Sequence, residues 1–206
     1  MRYAVEHKST IHRKIVKGAS RQLKKKGLNG PAVTTLMKAS GLTHGGFYKH
    51  FSSRDDLVIE AVEESFRELT EELIEAAKQS GPQNPWKSMV KAYLSLERCD
   101  RPEIGCPIAS LAPDIARATP VVKQRGSTAI LKFRGEIIPF MPGRTADEKA
   151  ANFLMIMTSM VGAIVIARTM PEVKVRQTIL DTVRDRLLAS FYESSEAQRL
   201  QPSQKM

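Results

Sequence analysis

The chain has 206 residues, 42% of them hydrophobic and 6% aromatic, with a net charge of +10 at pH 7. That size and apolar content allow a buried core, and the near absence of alternating apolar runs or Asn-Gly turns argues against a sheet protein. The charge is uneven. Residues 1–54 hold 12 Lys and Arg against one acid, Glu6, whereas the rest of the chain holds 20 bases and 21 acids. A basic head on a near-neutral body points to a nucleic-acid partner. An anionic membrane would attract the same head, but no long apolar face accompanies the charge.

Met1 to Thr10 is polar and has no apolar leader segment. The most apolar run, Phe153–Ala167, is interrupted by Thr158 and Ser159 and is shorter than the roughly 18–20 residues that span a bilayer. Cys99 and Cys106 read as reduced thiols in a cytoplasmic protein with no membrane partner.

In chain order, Ile11, Ile15, Ala19 and Leu23 repeat at i+4 and predict an amphipathic first helix ending near Gly27. Asn29-Gly30-Pro31 is a turn, and Val33–Gly41 a short helix. Thr43 is then an N-cap signal for a further helix of about two turns. That helix carries Gly45 and Gly46, each costing about 1 kcal/mol against alanine. So weak a helix is tolerable if packing holds it and if its backbone must come close to something else. From Thr43 to Arg54 the polar residues are donors, with no carboxylate. Phe47 and Phe51, four apart, share a face that anchors it. Helix, turn and donor-rich short helix is the layout of a helix-turn-helix entering a DNA major groove, although a plain helical hairpin has the same periodicity.

Ser53, with Asp55 and Asp56 in the first turn, opens a long helix through Leu57, Val62, Phe66, Leu69 and Leu73 that joins head to body. Asn84 as cap and Pro85 at the first helical position precede Trp86, Met89, Val90, Tyr93 and Leu94. The chain loosens over Cys99–Gly105, and the apolar segment Cys106–Ala116 follows. Thr119-Pro120 opens a helix through Val122, Ala129, Phe133 and Ile137, stopped by Pro139, Pro142 and Gly143. Thr145 and Glu148 form a capping box for the next, which is apolar almost all round. Pro171 precedes the last helix, with a stripe of Val175, Ile179, Val183, Leu187 and Phe191. Residues 193–206 read as a frayed tail. The expected architecture is all-α, with about nine helices: a head at 1–54, a body at 55–192 and the tail.

The stretch from Ile11 to Leu57 resembles the N-terminal DNA-binding domain of the TetR family of bacterial transcription regulators. The resemblance rests on Ile15, Ala19, Gly27, Val33, Leu36, Ala39, Gly41, Leu42, Thr43, Gly45, Phe47, Tyr48, His50, Phe51 and Leu57. Ala32 departs from it, standing where the family has Ser or Thr, and so does Gly46. The resemblance implies an N-terminal three-helix helix-turn-helix domain on a helical ligand-binding and dimerisation domain. It also implies a homodimer on double-stranded operator DNA, released by a small-molecule effector. Phosphate contacts would fall to Tyr48, His50 and Arg54, with Lys49 added on charge grounds. Thr43, His44, Gly45 and Phe47 would approach base edges. The last two long helices would form the dimer, with Gly162, Ala163, Ile166, Ile179, Val183 and Leu187 at the interface.

A hydrophobic effector site is expected among Trp86, Met89, Tyr93, Phe133, Phe153, Met157 and Met160, whose thioethers and rings suit apolar ligands. The same residues would serve as ordinary core. Cys106 is a candidate redox sensor, because a helix N-terminus lowers a thiol's pKa; a buried structural cysteine is the alternative. No phosphate loop, dinucleotide fingerprint, zinc spacing or nucleophile elbow is present, so neither enzyme activity nor a metal or cofactor is expected. The rival readings are gating by oxidation or electrophile modification at Cys106, a ligand-free architectural DNA-binding protein, and a cysteine-dependent enzyme.

Overall fold

The computed structural model describes residues 2–39, 44–79 and 84–191. Among these it contains nine α-helices, three short 3-10 segments and no strand. The head comprises α1 (Arg2–Lys26), α2 (Val33–Ala39) and a 3-10 helix (His44–Lys49). Then come α3 (Arg54–Gln79), α4 (Pro85–Tyr93), α5 (Leu96–Asp100), a 3-10 turn (Pro102–Ile104) and α6 (Pro107–Arg117). The body closes with α7 (Pro120–Ile137), a 3-10 turn (Ile138–Phe140), α8 (Ala146–Arg168) and α9 (Val173–Ser190).

Local chemistry accounts for most boundaries. Gly27 takes a left-handed φ of 78° and donates its N–H to Leu23 O at 2.8 Å, ending α1 where a side chain would be strained. Ser53 and Asp56 cap α3 reciprocally: the Asp56 N–H donates to Ser53 Oγ at 3.1 Å, and the Ser53 N–H to Asp56 Oδ2 at 3.0 Å. Thr145 and Glu148 form the expected capping box of α8. Asn84 differs from expectation. It has a φ of 62° and makes no side-chain cap bond, so α4 starts from a left-handed turn and Pro85. The stretch expected to be loose is ordered by α5, whose cap Ser95 Oγ accepts the Arg98 N–H at 3.3 Å.

α1 lies along α3, and α3 packs in turn on α4 and α7, with α8 against α9. One apolar core runs from Ile15 through Leu57, Phe66, Tyr93 and Phe133 to Ile164 and Leu180, continuous across position 54. Ser20 and Ser65 share a buried hydrogen bond of 2.8 Å within the α1–α3 seam. The apolar part of α8 is longer than its sequence suggested, and by length and composition alone the helix could cross a membrane. One seam of it, Phe153, Ile156, Met160, Ile164 and Ala167, is buried inside the bundle, while Leu154, Met155, Val165 and Ile166 are exposed.

Candidate nucleic-acid interface

The acid-free run folds into the 3-10 helix His44–Lys49, tighter than the expected α-helix, with its last turn closed by the His50 N–H to Phe47 O at 2.9 Å. Phe47 and Phe51 are buried and stacked at 5.6 Å, the base that holds this weak element on the head's core. His12 of α1 stacks on Phe51 at 4.6 Å. With its rings committed inward, the segment turns Tyr48 and Lys49 outward, Tyr48 to 71% exposure. A Cβ at Gly46 would meet only Met37 Cε at 3.8 Å, so packing within the protein does not demand glycine there.

The remaining expected DNA contacts fall as follows. His44 and Gly45 lie in the backbone of the 3-10 helix; Thr43 lies outside the described residues. Phe47 is a core residue, which leaves it no surface to offer a base edge. His50 is half-buried against His12 at 5.8 Å. Burial, then the nearby His12, Lys8 and Lys49, push its imidazole below the ordinary histidine value, which favours the neutral ring. Arg54 donates to the carbonyl of Leu28, in the turn after α1, and so braces the head. The cationic surface is extended by α1, where Lys8, Arg13, Lys14, Lys17, Arg21, Lys25 and Lys26 are all exposed. Lys24 is instead buried beside Glu68, and its ammonium is pushed down, chiefly by burial.

Head and body are tied along α3. The His12 and Glu60 side chains meet at 2.6 Å, and the Leu28 N–H donates to Asp114 of α6 at 2.9 Å.

The expected effector residues come together only in part. Met89, Phe153, Met157 and Met160 surround one apolar space of about 10 Å³, too small for a ligand. Phe133 packs on Phe153 at 6.1 Å, while Trp86 lies against Phe191 at 5.7 Å. Tyr93 points elsewhere, its ring under the Arg98 guanidinium and its hydroxyl beside Cys106. In this structure these side chains are tightly packed core. The larger spaces run along α3. A groove of about 590 Å³ lies between α3 and α7 on Phe66, Ala129 and Phe133, rimmed by Glu63, Arg67 and Lys132. One of about 690 Å³ continues beside α1 at His12 and Glu60. Sequence reasoning missed both, because they depend on how separate helices pack.

Cys106 occupies the N-cap position of α6 without a side-chain cap bond, and it is 0% exposed. Burial raises its thiol above the usual value, outweighing the Tyr93 hydroxyl and the Ala109 and Ile108 N–H groups that would favour thiolate. That environment suits a structural cysteine rather than a reactive one. Of the interface residues, Ile166 is exposed, Gly162, Ile179 and Val183 are half-covered, and a Cβ at Gly162 would meet nothing within 4 Å. Ala163 and Leu187 are buried in the chain's own core, so they cannot be primary contacts to a second subunit.

Residues 15–61 match the family model of bacterial regulatory proteins, tetR family. None of the curated proteins matches the chain. Among solved structures, the fold is similar to a TetR-family transcriptional regulator from Cytophaga hutchinsonii, with a TM-score of 0.71 at 19% identity over 90% of this chain and 96% of that one. A TetR transcriptional regulator from Chloroflexus aurantiacus gives a TM-score of 0.69 at 21% identity, covering 89% of this chain and 97% of that one. The regulator FadR of Bacillus subtilis, in complex with stearoyl-CoA, gives 0.63 at 13% identity, covering 87% and 99%.

Proposed function

By its N-terminal domain the chain belongs to the tetR family of bacterial regulatory proteins, and on that premise we propose that it is a cytoplasmic homodimeric repressor, released from a palindromic operator by a small apolar effector. The observation that carries this reading is the acid-free recognition segment, with Tyr48 and Lys49 presented outward from the Phe47–Phe51 base. The positive field of α1 would supply sequence-independent attraction to phosphates, and the recognition segment the discrimination. Residues 1–54 act as the reading head and 55–192 as the sensing and pairing body.

Pairing is supported by the outward face of α8, where Leu154, Met155, Val165 and Ile166 lie exposed along a single helix. Burying such side chains is worth about 1.5–3 kcal/mol each, enough in sum to hold a dimer. Effector binding is supported by the α3–α7 groove rather than by the closed methionine cluster. Its apolar floor and volume suit a small ligand, and it borders the helix that leads to the head. FadR, a protein of the same fold, holds an acyl thioester. An apolar chain seated on Phe66 and Phe133 is the corresponding expectation here.

The test is to select genomic DNA fragments with the purified protein, then screen apolar compounds for release of the selected fragment. Thr128→Trp, at the exposed edge of the groove, is expected to keep DNA binding and lose release. Release unchanged in that variant would place the effector elsewhere. Failure to enrich any discrete fragment would favour the architectural DNA-binding alternative.

A further inference from the structure

Arg168, the last residue of α8, is a partly buried guanidinium whose described hydrogen bonds go to no carboxylate. Its Nε donates to Cys99 O at 3.0 Å, one Nη to Ser110 Oγ at 3.0 Å, and the other to Arg98 O at 3.1 Å. One side chain thus joins the end of α8 to α5 and to the first turn of α6. Gly105 makes room for it, since a Cβ there would stand 2.5 Å from the Arg168 nitrogen.

Arg98, whose carbonyl Arg168 holds, sends its own side chain the other way. It is 4% exposed, donates to Ile104 O at 3.1 Å, and pairs with Glu72 of α3. Charge-assisted bonds of this kind are strong and directional, so their geometry resists deformation. From α9, Arg176 forms an ion pair with Asp100 at 2.9 Å. The 3-10 turn Pro102–Ile104 rests on α1. The segment from Leu96 to Gly105 is therefore gripped by one arginine from each helix of the proposed dimer face, and it grips α3 and α1 in turn.

We propose that Arg168 and Arg98 form a two-step latch that transmits the placement of α8 to α3, and so sets the spacing of the two DNA-reading heads. The proposal rests on the dimeric regulator described above. Arg168 and Arg98 are positioning residues that act through backbone carbonyls and Glu72, without touching DNA. A change in how α8 packs, whether from its partner or from an effector, would move the Arg98 carbonyl and, through Glu72, pull on the helix that begins directly after the recognition segment.

The test measures the distance between heads in the full-length dimer, with a nitroxide on Ser52→Cys; the native thiols are buried. Wild type is expected to give one narrow distance distribution. Arg168→Met and Glu72→Gln should each broaden and displace it, and the double variant should do so no further than either alone, since both break one chain of contacts. Arg125→Met, which removes the exposed Arg125–Glu63 pair between α7 and α3, should leave it unchanged. Should Arg168→Met lose helix content by circular dichroism, Glu72→Gln and Arg98→Lys carry the comparison. A dipolar signal that is present but identical in the latch variants would overturn the latch. Absence of the signal in wild type would overturn the dimer itself, and the latch with it.

Discussion

Gly162 and Ala163 are neighbours on α8, about 100° apart around the helix, and only Ala163 points into the core. Ala163 is 3% exposed in the core, whereas a Cβ at Gly162 would meet nothing within 4 Å. Substitution at the two sites should therefore fail differently. Gly162→Glu should raise intrinsic helix propensity by roughly 0.5–1 kcal/mol, preserve the folded chain and abolish pairing. Ala163→Glu should bury an unpaired charge and unfold the protein. Sedimentation together with thermal melting separates the two, and a Gly162→Glu dimer of native affinity would exclude this face.

Lys49 and Arg54, both cationic and five residues apart, should also separate. Lys49→Ala should weaken DNA binding across sequences and reduce the log–log salt slope by about one unit. Arg54 donates to Leu28 O, so Arg54→Met should cost about 1.5–3 kcal/mol of head stability for a lost charge-assisted bond with the salt slope kept. A salt slope lowered by Arg54→Met, with an unchanged melting temperature, would return it to the phosphate contacts.

How much was legible beforehand depended on the range of the interaction. Phe47 with Phe51, Ser53 with Asp56 and Thr145 with Glu148 lie within four residues of each other, so spacing alone revealed the anchor and both caps. The orientation of α8 was hidden because the helix is apolar on every side, and only its neighbours decide that Ala163 goes inward and Ile166 outward. The Arg168 bonds to Cys99 and Arg98 span 69 and 70 residues, beyond any local signal. The methionine cluster was identified as a set of neighbours, but a list of apolar residues does not distinguish a cavity from its filling.

His50 should make the head sensitive to acid. Its folded-state pKa lies below the ordinary value of 6.5, from burial and then from His12, Lys8 and Lys49. Protonation therefore favours the unfolded chain. The stability is complete above the unfolded value and is lost as pH falls below it through the folded value. Melting temperatures between about pH 5 and pH 8 should decline less on the acid side for His50→Gln than for wild type. Parallel curves would show that His50 contributes nothing to that decline.

Cys106 should behave as a core residue. With its thiol buried and its pKa raised, it should alkylate more slowly in the native protein than a free small thiol, and at the free rate once unfolded. Cys106→Ala should keep DNA binding and its release by effector. Rapid native alkylation, or release by an oxidant that is lost in Cys106→Ala, would support the covalent sensor instead.

The most direct test of the central claim is a footprint on a DNA fragment selected by the wild-type protein, read together with the stoichiometry of the complex. Two heads joined through α8 and α9 should protect one discrete palindrome, its half-sites centred about 34–36 Å apart or a multiple of that, with chains bound in even number. Gly162→Glu should lose that protection at the same chain concentration. Diffuse protection without two-fold symmetry, or a complex containing a single chain, would contradict the account.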